Sequence, residues 1–140
     1  MVLDTSVLVT ALRSKDGASN LLLEAVLTGQ IKPLLSVPLV LEYEAVLKRP
    51  EQLFYFRLSA GQIDRLLDVI CGLGILVQLS FRWRPQLSDP DDEMVLDTAV
   101  NGRANAIVTH NRRDFQAGAR WFGIQVLSPA EAWNILGRKG

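Results

Sequence analysis

The sequence predicts an α/β fold, a central parallel sheet flanked by helices, and three observations predict it. Short apolar runs of strand length alternate with segments whose apolar residues recur at the helical period. Each helical segment between two such runs supplies the crossover that a parallel strand pair requires. Apolar residues make up 49% and charged residues 21% of the chain, a balance that packs a core rather than staying solvated. At 140 residues the chain has one domain's length, so residues 1–140 are expected to form a single domain. It shows no internal repeat, low-complexity stretch or linker.

The elements follow in order. Val2 and Leu3 form a short apolar run ending at Asp4, and residues 5–12 turn into a helix. Residues 18–27 have helical spacing and stop near Gly29. Residues 32–37 read as a strand; Pro38 then opens a helix to about Lys48, ended by Arg49 and Pro50. Phe54, Tyr55 and Phe56 form an apolar cluster between helices, suited either to the core or to a partner surface. Residues 59–72 are amphipathic, with Ile63, Leu66, Leu67 and Ile70 on one face. Residues 74–79 read as a strand and residues 91–102 as a helix. Residues 106–109 and 124–127 read as two more strands. Ser128 and Glu131 have the spacing of a capping box that starts a final helix.

Composition narrows the function classes. Lys plus Arg equals Asp plus Glu at 15 each, so any nucleic-acid surface must come from local clustering. A single cysteine, Cys71, rules out an internal disulfide and reads as a small buried apolar residue. Without a Cys/His cluster a zinc site is not expected, and no apolar run has membrane-spanning length. The first residues lack the basic stretch of a signal peptide, which suits a cytoplasmic protein. Neither GxxxxGK[ST] nor GxGxxG occurs, so a nucleotide-binding fold lacks support.

In parallel α/β sheets, ligands bind beyond the carboxyl ends of the strands. Asp4 ends the first strand; Thr109, His110 and Asn111 end another, and Asp114 follows within a few residues. Asp4 has two readings, the cap of the helix that follows or a metal-binding carboxylate. Glu42 and Glu44, two residues apart, fall on different faces of a helix by its 3.6-residue period. Glu44 has Lys48 four residues later, the favourable order for an exposed pair. Glu42 is flanked by Leu39, Ala45 and Val46, so its carboxylate needs a partner; Glu42 is assigned to the site and Glu44 to solvent. Asp92 lies just after Asp89, the expected cap, and Pro90, the expected first helical position. It fits the acidic position of a capping box. It also starts the apolar stripe of Val95, Leu96 and Ala99, which suits an inward-facing acid at a metal site. Asp97 lies over 90° around from that stripe and is kept as a supporting residue. Asp114 has a turn reading, strengthened toward the site by its strand.

Carboxylates without Cys or neighbouring His are hard oxygen ligands, suited to Mg²⁺ or Mn²⁺. Grouped carboxylates repel one another until a cation is bound. One such ion, or a pair roughly 3.5–4 Å apart, orients water and stabilises in-line displacement at phosphorus, the hydrolysis of a phosphodiester.

At these residues the chain resembles the PIN-domain family, and more narrowly the VapC-like toxins of bacterial and archaeal toxin–antitoxin pairs. The resemblance covers nearly the whole chain and rests on motifs in the family's order. They are Val2-Leu-Asp-Thr-Ser6, Glu42-Tyr-Glu-Ala-Val-Leu-Lys-Arg-Pro50, Asp89-Pro-Asp-Asp92, Ile107-Val-Thr-His-Asn-Arg-Arg-Asp-Phe115 and Gly123-Ile-Gln-Val-Leu-Ser-Pro129. It implies an α/β/α fold, Mg²⁺- or Mn²⁺-dependent endoribonuclease activity, a homodimer, and inhibition by a protein antitoxin. The family's metal-binding and catalytic acids map onto Asp4, Glu42, Asp92 and Asp114. Many members carry an acid directly after the strand motif, where this chain has Asn111; members with a Thr-x-Asn-x-x-Asp-Phe pattern point instead to Asp114. The hydroxyls of Thr5, Ser6 and Thr109, with Asn111, are supporting candidates whose competing roles are capping and strand termination.

Arg112 and Arg113 are the RNA-binding candidates by position, while Arg82 and Arg84 around Trp83 read as ordinary solvated surface. Two other functions compete. A haloacid-dehalogenase-type phosphatase also places Asp after a strand, but needs a second acid where Ser6 stands. A non-catalytic PIN-like binding module would be favoured by loss of acids, and the main four are present.

Overall fold

The computed structural model describes residues 1–80 and 90–139. Five strands are present among them: β1 (Val2–Leu3), β2 (Leu34–Leu35), β3 (Ile75–Leu76), β4 (Ala106–Val108) and β5 (Gln125–Leu127). The helices are α1 (Thr5–Arg13), α2 (Ala18–Leu27), α3 (Val37–Leu47), α4 (Pro50–Phe56), α5 (Ala60–Leu73), α6 (Pro90–Asn101), α7 (Arg112–Trp121) and α8 (Pro129–Lys139). The fold is the expected α/β arrangement of parallel strands flanked by helices. Asp89, read as the cap of α6, and Arg82, Trp83 and Arg84 lie outside the described residues.

All strand pairs are parallel. β4 lies between β1 and β5, with Leu3 opposite Val108 and Val108 opposite Leu127. β2 pairs with β3, with Leu35 opposite Leu76. The N–H of Leu34 donates to the Met1 carbonyl at 2.9 Å, which sets β2 against the other side of β1. The described strands thus form two parallel sheets, β1-β4-β5 and β2-β3, which that bond sets side by side in the order β3-β2-β1-β4-β5. The chain builds outward from β1 to β3, then returns to lay β4 and β5 on the opposite side. The order reverses between β1 and β4, which makes the ends of those two strands the topological switch point of the sheet.

The central strands are apolar because both of their faces are covered. Val2, Ile107 and Val108 have no exposure, and Leu3 has 3%. The predicted strand over residues 74–79 shortens to Ile75–Leu76. It pairs with β2, and its two side chains are exposed. Its entry is tight: a Cβ on Gly74 would sit 2.9 Å from the Pro33 carbonyl oxygen, leaving room only for glycine.

The buried stripes follow the expected periods. α5 buries Ile63, Leu67 and Ile70 behind a complete Ser59–Gln62 capping box. α6 buries Val95, Leu96 and Ala99, and Ser128 and Glu131 exchange the reciprocal bonds of the box that opens α8. Two helices lie where none was expected. Pro50 ends no more than a loop of the chain after α3, and it also sits at the first position of α4, where its missing N–H costs nothing. Phe54, Tyr55 and Phe56 thus belong to a helix, with Phe56 inward and the other two outward. α7 escapes a hydropathy reading because its inward face is only Phe115, Gly118 and Ala119. Cys71 is a correction: it is exposed, one position past the buried Ile70 and rotated out of the α5 stripe.

Tyr43 anchors α3 to β1. Its ring is buried and its hydroxyl donates to the Leu3 carbonyl. Burial first, and the Asp4 charge second, push this hydroxyl above its ordinary range, so it remains a donor. Tyr43→Phe is expected to lower unfolding free energy by about 1 kcal/mol, the net worth of one such bond, without changing secondary structure. Urea denaturation followed by circular dichroism measures it; an unchanged midpoint would refute the anchoring role.

Candidate functional site

The switch point holds a built polar cluster. Asp4 follows β1, and its N–H donates to the Val108 carbonyl at 2.9 Å, continuing the ladder between β1 and β4. Its side chain is 6% exposed. Ser6 Oγ and Thr109 Oγ1 both donate to Asp4 Oδ2, each at 2.7 Å. Asp4 occupies the cap position of α1, yet its carboxylate makes no capping bond. The capping reading of this side chain therefore fails, and both hydroxyls serve the carboxylate. Among the described residues Oδ1 receives no hydrogen bond, and no fully buried side-chain oxygen lacks a partner; Oδ1 therefore opens toward solvent. One oxygen is fixed and the other is presented.

The cluster extends outward. Thr109, itself fully buried, accepts the Asn111 N–H on Oγ1 at 2.9 Å, so its hydroxyl is aimed at Asp4. Ser6 Oγ accepts the His110 N–H at 3.2 Å. His110 Nε2 shares a hydrogen bond of 2.9 Å with Ser19 Oγ, which ties the start of α2 to the end of β4. His110 and Ser19 carried no sequence signal as a pair, because 91 residues separate them. Thr5 is half-buried at the first position of α1.

Glu42 is half-buried on α3, beside the Leu39, Tyr43 and Leu47 stripe that packs inward. Glu44 pairs with Lys48 at 3.8 Å, and Lys48 also pairs with Asp64, as the assignment of Glu44 to solvent requires. Asp92 is half-buried in the first turn of α6, ahead of the buried Val95 and Leu96. Asp97 is half-buried, and its backbone carbonyl accepts Asn101 Nδ2 at 2.8 Å. Asp114 is exposed in the first turn of α7, not in a turn between elements, and its N–H donates to the carbonyl of Asn111, the cap residue, at 3.0 Å. An acid there is favoured by the helix dipole whatever else it does.

The two candidate RNA-binding arginines differ. Arg112 is ion-paired with Glu131 at 2.8 Å, and Glu131 is held below its ordinary range by the Ser128 backbone N–H first and by Arg112 last. Arg113 is exposed and makes no ion pair among the described residues.

The structure thus joins Asp4, Ser6, Thr109, His110 and Asn111 in one hydrogen-bonded group. Among the described residues, no three His, Cys, Asp or Glu side chains stand in an arrangement that would hold a metal ion. His110 Nε2 is engaged by Ser19 Oγ, so the donors around the Asp4 carboxylate are side-chain oxygens, and Mg²⁺ is commonly held by one or two carboxylates with water and substrate phosphate completing its shell. An oriented carboxylate with one open oxygen fits such an ion. No described helix is long and apolar enough to cross a membrane.

Fold and site together define an α/β protein of parallel strands flanked by helices, with a fixed carboxylate where its central strands β1 and β4 end. Residues 1–113 match the family model described as PIN domain. The chain belongs to the PIN-domain family, whose members are generally nucleases that bind nucleic acids and usually use divalent metal ions. The matched segment contains Asp4, Glu42 and Asp92 and stops one residue before Asp114. No curated protein and no solved structure matched the chain.

Proposed function

We propose that this chain is a Mg²⁺- or Mn²⁺-dependent endoribonuclease, a single domain over residues 1–140. The observation that carries the reading is Asp4, with one oxygen fixed by Ser6 and Thr109 and the other open at the switch point. Asp4, Glu42, Asp92 and Asp114 would hold the ion. When bound, the ion polarises the scissile phosphate and promotes ionisation of a water. The chain's own residues do the rest. Ser6 and Thr109 keep the Asp4 carboxylate in one rotamer, so no reorganisation is needed when charge develops. A half-buried carboxylate, Glu42 or Asp92, takes the proton released as water attacks phosphorus and the P–O bond to the leaving strand breaks. Arg113, exposed in the first turn of α7, is available to the phosphate backbone.

The toxin role, the antitoxin partner and the homodimer rest on the resemblance to VapC-like proteins, and the cytoplasmic location on first residues that lack the basic stretch of a signal peptide. A neighbouring small gene for a DNA-binding antitoxin supports the first two, and sedimentation at micromolar concentration tests the dimer. A second reading, a non-catalytic PIN-like binding module, is favoured by the lack of a three-acid arrangement among the described residues.

Metal-dependent RNA cleavage by purified protein separates the two. Asp92→Asn and Glu42→Gln are each expected to lower the rate about a hundredfold or more, the usual worth of a positioned acid or base. Glu44→Gln, which breaks only an exposed pair, should leave it nearly unchanged. Cleavage that survives Glu42→Gln and fails with Glu44→Gln would reverse the assignment of the two glutamates. No cleavage with either metal would leave the binding module.

A further inference from the structure

We infer that α4 and the end of α1 form a contact surface for single-stranded RNA, with Phe54 stacking on an unpaired base and Arg13, Arg49 and Arg57 following its phosphates. The inference rests on the nuclease reading above.

α4 leaves its aromatic residues outside. Phe54 is 88% and Tyr55 59% exposed, while Phe56 alone of the three packs inward. Two neighbouring aromatic rings left in water form an apolar patch of the kind that contact sites use. The surroundings are cationic. Arg13 at the end of α1 and Arg49 and Arg57 at the two ends of α4 are all exposed, and Glu51 is the one acidic residue within α4, in a chain whose net charge is zero. Lys48, the next cation, is engaged by Glu44 and Asp64.

The cations are also ordered. Arg13 donates Nε and Nη2 to Gln52 Oε1 at 3.1 and 3.0 Å and lies 4.5 Å over the centre of the Tyr55 ring. This guanidinium is held in place before any ligand arrives, so less freedom is lost on binding. Arg57 ends α4 in the left-handed region, φ 58°, where glycine is preferred. The Leu58 N–H closes that turn on the Leu53 carbonyl at 3.2 Å. Arg57 lines an open hollow of about 730 Å³ with Leu53, Phe54, Tyr55 and Leu58.

Exposed aromatic faces beside guanidinium groups bind single strands with little regard to sequence. A protein partner or second copy would also cover Phe54, but the excess of guanidinium favours a polyanion. Position agrees with this. The nine residues of α1 separate Asp4 from Arg13 by about 13 Å along the helix, so a strand crossing Asp4 reaches α4 within a few nucleotides.

The test is fluorescence anisotropy of a labelled single-stranded RNA oligonucleotide with wild type, F54A, F54W and R57G, in chelator to prevent cleavage. F54A is expected to weaken binding about tenfold and F54W to restore it. In cleavage assays F54A should raise KM and leave kcat in place. R57G should weaken binding and flatten the salt dependence by about 0.7 in logarithmic slope, without lowering the melting temperature, because glycine suits that turn. Wild-type binding matched by F54A and R57G would overturn the inference and leave the nuclease reading standing. So would unchanged affinity in an F54A protein that sediments as a smaller species, since a second copy would then own the surface. Absence of both RNA binding and cleavage in wild type would overturn the nuclease reading, and this inference with it.

Discussion

Asp4→Asn is expected to lower metal-dependent RNA cleavage on the order of a thousandfold while leaving the fold intact, the scale on which a single preorganised electrostatic contact acts. The substitution preserves shape. The amide oxygen of the new side chain can still accept from Ser6 and Thr109, which now donate to Oδ2. What changes is the other position, where an NH₂ group replaces the open carboxylate oxygen and turns a cation ligand into a donor. The hydroxyl that aims the carboxylate should matter less than the carboxylate itself. Thr109→Val keeps the buried volume but leaves Oδ2 with Ser6 alone, and a loss of about 10–100-fold is expected, as for partners that orient metal ligands. Cleavage of a defined RNA under single-turnover conditions with Mn²⁺ measures both. Full activity in Asp4→Asn would remove the core of the proposed site.

The second large effect is thermal. A cation that binds the folded chain and not the unfolded one stabilises it by about 2.7 kcal/mol at a hundredfold excess over Kd. For a chain of 140 residues that corresponds to a rise of roughly 5–10 °C in melting temperature. In the proposed four-acid site the carboxylates would repel one another until an ion is bound, so the metal-free protein would melt from the less stable state. Melts with chelator and with millimolar Mg²⁺ or Mn²⁺ should show the shift in wild type and a smaller one in Asp4→Asn. The variant's own metal-free melting temperature should equal or exceed that of wild type, because one member of the repelling set is gone. An identical metal response in both proteins would exclude Asp4 as a ligand. This experiment needs no RNA, so it separates a failed metal site from a poorly chosen substrate.

Much of the fold was legible residue by residue because helices and capping motifs write their geometry locally. α2 occupies residues Ala18–Leu27 as its spacing predicts, and the Ser128–Glu131 box opens α8 as its spacing requires. The Glu44–Lys48 pair was local as well, since Lys48 stands one helical turn beyond Glu44 and does pair with it. α4 and α7 were not legible: one follows a proline that also reads as a stop, and the other is mostly polar and begins with Asn111 and Asp114, which read as turn residues after the strand. Cys71 misled for a related reason, because a small apolar residue is usually buried and only its angle on α5 decides otherwise.

By itself the sequence determined the alternation of elements, the inward stripes, and the presence of Asp4 and Thr109 at the ends of two strands. Only the tertiary structure decided that these two strands are neighbours. Strand order depends on how the crossovers stack their apolar faces across the whole chain, and no local period encodes it. That order brings Thr109 Oγ1 to Asp4 Oδ2 across 105 residues and Ser19 to His110 across 91. It also turned a residue that looked like a helix cap into an oriented carboxylate with one open oxygen, because a buried carboxylate takes the hydroxyl donors that packing brings to it.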